Sequence, residues 1–165
     1  MISTSDITSA GLWVATWEGP YHVTPGDRGG PTAFGIALAY HKDFTEAQLQ
    51  AITVNEAATY LAAHYMPAHA ELLPYAIATP LLAFAVLEPA AAVKCLEAAV
   101  GDAQDGVIGP ETARLAASLP TTGPDGLLVR YFRACMAHLS TRPDFATNAV
   151  GWATRQMAAS QAVLT

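Results

Sequence analysis

Charge is scarce in this chain. Charged residues make up 13% of its 165 positions, and only eight are Lys or Arg. A phosphate backbone must be neutralised by many cationic side chains, so nucleic acid is not an expected partner. The formal net charge of -6 reads instead as a source of solubility. Cysteine is nearly absent: Cys95 and Cys135 match no metal-ligand spacing. Each sits in an apolar helical pattern, which predicts buried free thiols; a disulfide requires their helices to meet. His64 and His69 do not fall at the i, i+4 spacing of paired helix ligands, and no third ligand accompanies them. There is no Gly-rich phosphate loop carrying Lys and no nucleophile elbow around a Ser. Neither a metal nor a cofactor is therefore expected. No apolar run reaches the roughly 18 residues of a membrane span. The opening residues Met1 to Asp6 lack the basic start and apolar run of a secretion signal.

What the chain does have is apolar residues, 52% of the total, many of them Ala. That composition favours helix and a real core, and it excludes disorder. Ser5 or Asp6 is read as the cap of a first helix, with Ile7, Ala10, Trp13, Val14 and Trp17 on its inward face. Trp13 and Trp17 are expected in the core. Gly19-Pro20 should end this helix, placing Glu18 in its last turn.

Residues 20–36 are turn-rich, with Tyr21-His22-Val23 and Ala33-Phe34-Gly35-Ile36 as the arms of a small ribbon. From Ile36 to Tyr40 the pattern reads as helix. Thr45 and Thr53 open capped helices, the second running to about Tyr65. Pro80 to Leu87 is apolar all round and should be a central buried helix. Helices from Ala90 to Val100, after Gly109-Pro110, from Leu127 to Leu139 and from Phe145 to Val163 follow. The expected fold is mostly α, a helical bundle with a small β-ribbon and loop region after the first helix.

The chemistry concentrates in one polar stretch. Eight residues separate Glu18 from Asp27, and four separate Asp27 from Thr32. Two carboxyls and a hydroxyl suit glycoside hydrolysis, where one carboxyl protonates the leaving oxygen and another group places water. The helix C-terminus, with Trp17 and Tyr21 beside it, favours a protonated Glu18, as a general acid requires. A solvated surface Glu is the competing local reading.

The stretch Glu18-Gly19-Pro20-Tyr21, followed by Pro25-Gly26-Asp27-Arg28-Gly29-Gly30-Pro31-Thr32-Ala33-Phe34-Gly35-Ile36, resembles the signature of glycoside hydrolase family 108. Those proteins are N-acetylmuramidases of phage endolysins and bacterial secretion systems. Phe84-Ala85-Val86, Ala92 to Leu96 and Asp105 to Thr112 resemble the family's C-terminal part, a predicted peptidoglycan-binding region. Gly151-Trp152 with Arg155 is similar to its terminal G-W-x-x-R.

The resemblance implies a lysozyme-like domain over residues 1–165, with a catalytic lobe at 1–75 and a helical lobe at 76–165. It implies cleavage of the β-1,4 bond between N-acetylmuramic acid and N-acetylglucosamine, with Glu18 as the acid. By analogy with phage-type lysozymes, Asp27 would activate water and Thr32 would position it. Tyr21, Phe34, Trp152 and Arg155 are the candidate substrate contacts. Core packing competes for the aromatics, and a helix salt bridge competes for Arg155.

The implied partners are peptidoglycan glycan strands, with a holin, secretion apparatus or cognate immunity protein for delivery or control. The implied location is the periplasm or cell wall, reached from the cytoplasm without a signal peptide. Two departures stand out: Pro20 replaces a Gly, and Val86-Leu87-Glu88-Pro89 stands where the family has V-N-S-G. Leu87 cannot hydrogen-bond as an Asn would. That difference keeps open a non-catalytic wall-binding component of a phage or secretion system. A chitin-type hydrolase and a lytic transglycosylase are further alternatives.

Overall fold

The computed structural model describes residues 1–26 and 28–164. Its first helix, α1 (Thr4–Glu18), is capped by Ser3 rather than by Ser5 or Asp6. The Asp6 amide donates to Ser3 Oγ at 3.2 Å, and the Ser3 amide donates to the Asp6 carboxylate at 2.7 Å. Asp6 is therefore the third helical residue of a capping box, three residues past the true cap. The helix ends at Gly19, which takes a φ of 80°. Trp13 and Trp17 stack on each other at 5.2 Å on the outer side, and Trp17 is 44% exposed. The expectation that both are core residues is wrong for Trp17, because Ala10, Val14 and Ala15 fill the inward face.

The two-stranded ribbon is β1 (Thr32–Ala33) and β2 (Ile36–Ala37), antiparallel, with Thr32 opposite Ala37 and Ala33 opposite Ile36. Its arms lie closer together than the sequence suggested. Tyr21 to Val23 contributes only an isolated bridge from His22 to Thr32. Phe34, between the strands, has a φ of 51°, and Gly35 has 88°. These two residues form the tight turn. Residues Ile36 to Tyr40 are not helical as their pattern suggested. The chain turns at once, with the Tyr40 and His41 amides donating to the Ala37 carbonyl at 3.0 and 3.1 Å.

Helices α2 (Glu46–Ala51) and α3 (Val54–Tyr65) carry the expected capping boxes from Thr45 and Thr53. Two 3-10 turns, Ala70–Leu72 and Tyr75–Ile77, lead into α4 (Ala78–Leu87). It begins two residues before Pro80, whose missing N–H falls in the first turn, where no intrahelical partner exists anyway. Every residue of α4 from Ala78 to Ala85 is buried, and the helix packs against α1 and α3. It also meets α5 (Ala92–Val100) and α8 (Phe145–Gln161). The all-round apolar pattern of its sequence thus reports its central position. Among the described residues, no helix is long and apolar enough to cross a membrane.

The C-terminal half adds α6 (Pro110–Ser118) and α7 (Leu127–Leu139), and α7 lies along α5. That packing brings Cys95 and Cys135 together as neighbouring buried free thiols. The Asp105 to Ile108 loop is pinned by Glu97, which is fully buried. Its carboxylate accepts the Gly106 and Val107 amides at 3.0 Å. Burial pushes the Glu97 carboxyl up from its ordinary range, while the amides oppose that shift.

At Gly11, α1 comes close to the backbone of α3. A Cβ there would lie 2.5 Å from the Ala58 carbonyl oxygen and 3.2 Å from Ala62 Cβ of α3. Gly11→Ala is expected to lower stability by about 1–3 kcal/mol through overpacking. Leu82→Ala, in the centre of α4, should cost about 2–5 kcal/mol by leaving a cavity. Urea unfolding monitored by circular dichroism measures both.

Candidate active site

The end of α1, the ribbon turn, α3 and the end of α4 meet at a cleft of about 320 Å³. Glu18 lines it from the last turn of α1, and Thr32 lines it from β1. Gly35 holds Glu18 in place. A Cβ on Gly35 would meet the Glu18 Cγ at 2.9 Å, and its φ of 88° is one L side chains rarely adopt. The Phe34 amide donates to the Gly19 carbonyl at 2.7 Å, so the ribbon turn is tied to the residue after the acid.

Arg155, from α8, reaches the same cleft and forms an ion pair with Glu18 through Nη1 and Oε1. Its side chain is 10% exposed and that of Glu18 is 24% exposed. Among the described residues, Arg155 Nε and Nη2 have no hydrogen-bond partner. The local reading of Glu18 counted only the helix end and its aromatic neighbours, and not this cation from the far end of the chain.

The other candidate contacts lie elsewhere. Tyr21 donates its hydroxyl to Glu46 Oε1 at 2.6 Å, and the Glu46 carboxylate raises the phenol's pKa. Phe34 packs against the core from the ribbon turn. Trp152 sits under the Arg142 guanidinium at 5.4 Å and beside Phe145. Arg142 also forms ion pairs with Glu88 and Asp144. None of the three aromatics is part of the cleft lining. Asp27 falls outside the described residues. Thr32 donates its hydroxyl to the Gly30 carbonyl at 3.0 Å, which orients it in the loop.

The cleft also contains residues that the sequence had not singled out. His22 lines it, with Nδ1 3.0 Å from the Pro20 carbonyl. His41 and Tyr65 line it as well. His41 is buried and bonded on both ring nitrogens, Nδ1 to the Tyr60 hydroxyl and Nε2 to the Tyr65 hydroxyl, each at 2.9 Å. Burial pushes its pKa down, and His64 nearby adds to that. Burial and Asp43 push Tyr60 up to about 12. The sequence signal for this group is the i, i+5 placement of Tyr60 and Tyr65 on one capped helix. It becomes informative only once His41 is known to pack there.

Residues 12–88 match the family model described as Glycosyl hydrolase 108. This segment is similar to the proteins of that family. It contains every residue lining the cleft except Arg155, which the C-terminal helix supplies. Across nearly the whole chain, the fold is similar to the solved structure of Brucella abortus SagA. The TM-score is 0.80 at 29% identity, covering 98% of this chain and 95% of that one. No curated protein matches the sequence. The match supports a glycoside hydrolase by class, and the mostly helical fold with its small ribbon is lysozyme-like.

Gly35→Ala is expected to cost about 1–2 kcal/mol from the positive φ alone. It should also lower glycosidase activity by at least about tenfold, because the acid must shift. Gly101→Ala is the control. Gly101 has a φ of 81° with open space around its Cβ position, so it should lose stability with no loss of activity in the folded protein.

Proposed function

We propose that the protein is a peptidoglycan muramidase that hydrolyses the β-1,4 bond between N-acetylmuramic acid and N-acetylglucosamine, with Glu18 as general acid. The observation that carries this reading is the placement of Glu18: a carboxyl at a helix end, braced by Gly35 and Arg155, in a cleft it shares with Thr32. Arg155 holds Oε1, and no hydrogen bond to Oε2 is formed among the described residues. In this mechanism Oε2 delivers the proton to the glycosidic oxygen. Arg155 stabilises the carboxylate left behind, which strengthens the acid in the transition state.

Water then attacks the anomeric carbon. Thr32 is a cleft hydroxyl assigned to position it, and Asp27 is assigned to activate it, both by analogy with phage-type lysozymes. The C-terminal lobe, residues 76–165, supplies Arg155 and is proposed as the wall-binding part of the chain. Delivery to the cell wall, by phage lysis or by a secretion apparatus, follows from the same reading.

A second reading, a wall-binding component without turnover, is favoured by Val86 and Leu87. They put an apolar wall where the family pattern has a hydrogen-bonding Asn. The two readings differ in one assay. Wild-type protein should clear a suspension of purified cell walls, and Glu18→Gln should abolish clearing while its melting curve is kept. Protein that sediments with walls but never clears them favours the second reading.

Arg155→Met should reduce clearing by about 10²-fold. It should also destabilise the fold by about 1.5–3 kcal/mol, the loss of a charged hydrogen bond to a mostly buried acid. Reducing-end analysis of the products should show free reducing ends; anhydro ends would mean transglycosylation.

A further inference from the structure

The cleft holds a polar cluster that the proposed reaction does not use. The Asp43 carboxylate only accepts, so the Tyr60 hydroxyl donates to it, at 3.1 Å to Oδ2 and 3.3 Å to Oδ1. With its one proton committed, Tyr60 must accept from His41 Nδ1–H. A neutral imidazole protonated on Nδ1 has a bare Nε2, which accepts the hydroxyl proton of Tyr65. The order of donation is therefore fixed from one end: Tyr65 to His41 to Tyr60 to Asp43. Burial lowers the pKa of His41 and raises that of both tyrosines, so all three remain neutral near pH 7. The imidazole is further held by rings on its faces and edges, with Tyr60, His64 and Tyr65 at centroid distances of 5.3–5.8 Å.

The consequence falls on Tyr65. It lines the cleft together with Glu18, and its proton points back into the protein. Toward a ligand it offers lone pairs only. We propose that Tyr65 is a substrate-contacting residue that accepts a hydrogen bond from an uncharged donor on the glycan, a sugar hydroxyl or an acetamido N–H. His41 and Tyr60 are positioning residues that set the direction of that bond. The arrangement gives the cleft a preference: groups that only accept, such as carboxylates, find no proton at Tyr65, whereas hydroxyl and amide donors do. This assignment rests on the muramidase reading, since it takes the ligand of the cleft to be a sugar chain.

The test uses the full chain carrying Glu18→Gln, so that binding is measured without turnover. The probe is a tetramer of alternating N-acetylglucosamine and N-acetylmuramic acid, titrated by calorimetry. Tyr65→Phe keeps the ring and removes the acceptor, and should weaken binding by about 3–10-fold. Tyr60→Phe leaves the cleft lining intact but frees His41 to carry its proton on Nε2. That reverses the Tyr65 bond, so this variant should produce much of the same loss.

The double variant should lose no more than Tyr65→Phe alone, a non-additivity that two independent packing defects would not show. Long-range nitrogen–proton spectra of the imidazole give a readout independent of ligand. They should show His41 protonated on Nδ1 in the parent and on Nε2 in Tyr60→Phe. Unchanged affinity in a folded Tyr65→Phe protein overturns the proposal, as does an Nε2-protonated His41 in the parent. A parent that does not bind the tetramer at all overturns the muramidase reading and this proposal with it.

Discussion

The ion pair between Glu18 and Arg155 is the contact on which the arrangement of this protein turns. It joins the last turn of the first helix to the middle of the last one, across 137 residues of chain. Both side chains are mostly out of water, so neither charge is well solvated without the other. Removing one partner of such a pair leaves an uncompensated charge, which costs more than the pair's net worth. The two helices do not have to touch extensively for this to work. α4 lies against both α1 and α8, and its buried apolar surface sets the distance between them. The cleft is thus assembled from the two ends of the sequence by a helix that contributes almost no chemistry of its own.

That division explains which parts of the protein were legible in the sequence. Capping boxes at Thr45 and Thr53 are local, and each was readable from four residues. The all-apolar α4 announced its central position without any neighbour being known. Glu18 was readable because a helix stop, Gly19-Pro20, follows it directly. The same local logic failed where two segments compete for one face. Ile36 to Tyr40 has a helical pattern, yet Ala33 and Ile36 are pulled into a ribbon by the turn at Phe34 and Gly35. Trp17 looked like core because its spacing fitted, but small residues had already filled that face of α1.

The candidate contacts divide along the same line. Trp152 and Arg155 come from one short motif and are three residues apart on α8, about 60° apart around the helix and about 4.5 Å along it, yet they meet different partners. Arg155 enters the cleft, while Trp152 faces the Glu88–Arg142–Asp144 ion pairs that fasten the end of α4 to the start of α8. A motif read as one functional unit is two units in space, one at the acid and one at the joint. His41 was the opposite case. Nothing in its own neighbourhood marked it, and its meaning comes wholly from two tyrosines on a helix that follows it in the chain.

The polarity of the cleft then bears on the missing Asn. Val86 and Leu87 give it an apolar side, and the described hydrogen-bonding side chains come from Glu18, the ribbon and its flanking loops, α3 and Arg155 of α8. Losing an amide at the end of α4 removes a side chain that both donates and accepts. What remains is sorted: donation is concentrated at the buried, under-used guanidinium of Arg155, and acceptance at Tyr65. A sugar ring carries donors and acceptors around its rim and apolar C–H groups on its faces. A cleft with separate donor, acceptor and apolar sectors can hold such a ring in one orientation without an amide to serve both roles. On this argument the change at Leu87 alters how the proposed glycan is gripped, while the machinery around Glu18 is left intact. The acid's own supports, Gly35 and Arg155, lie outside the segment that changed.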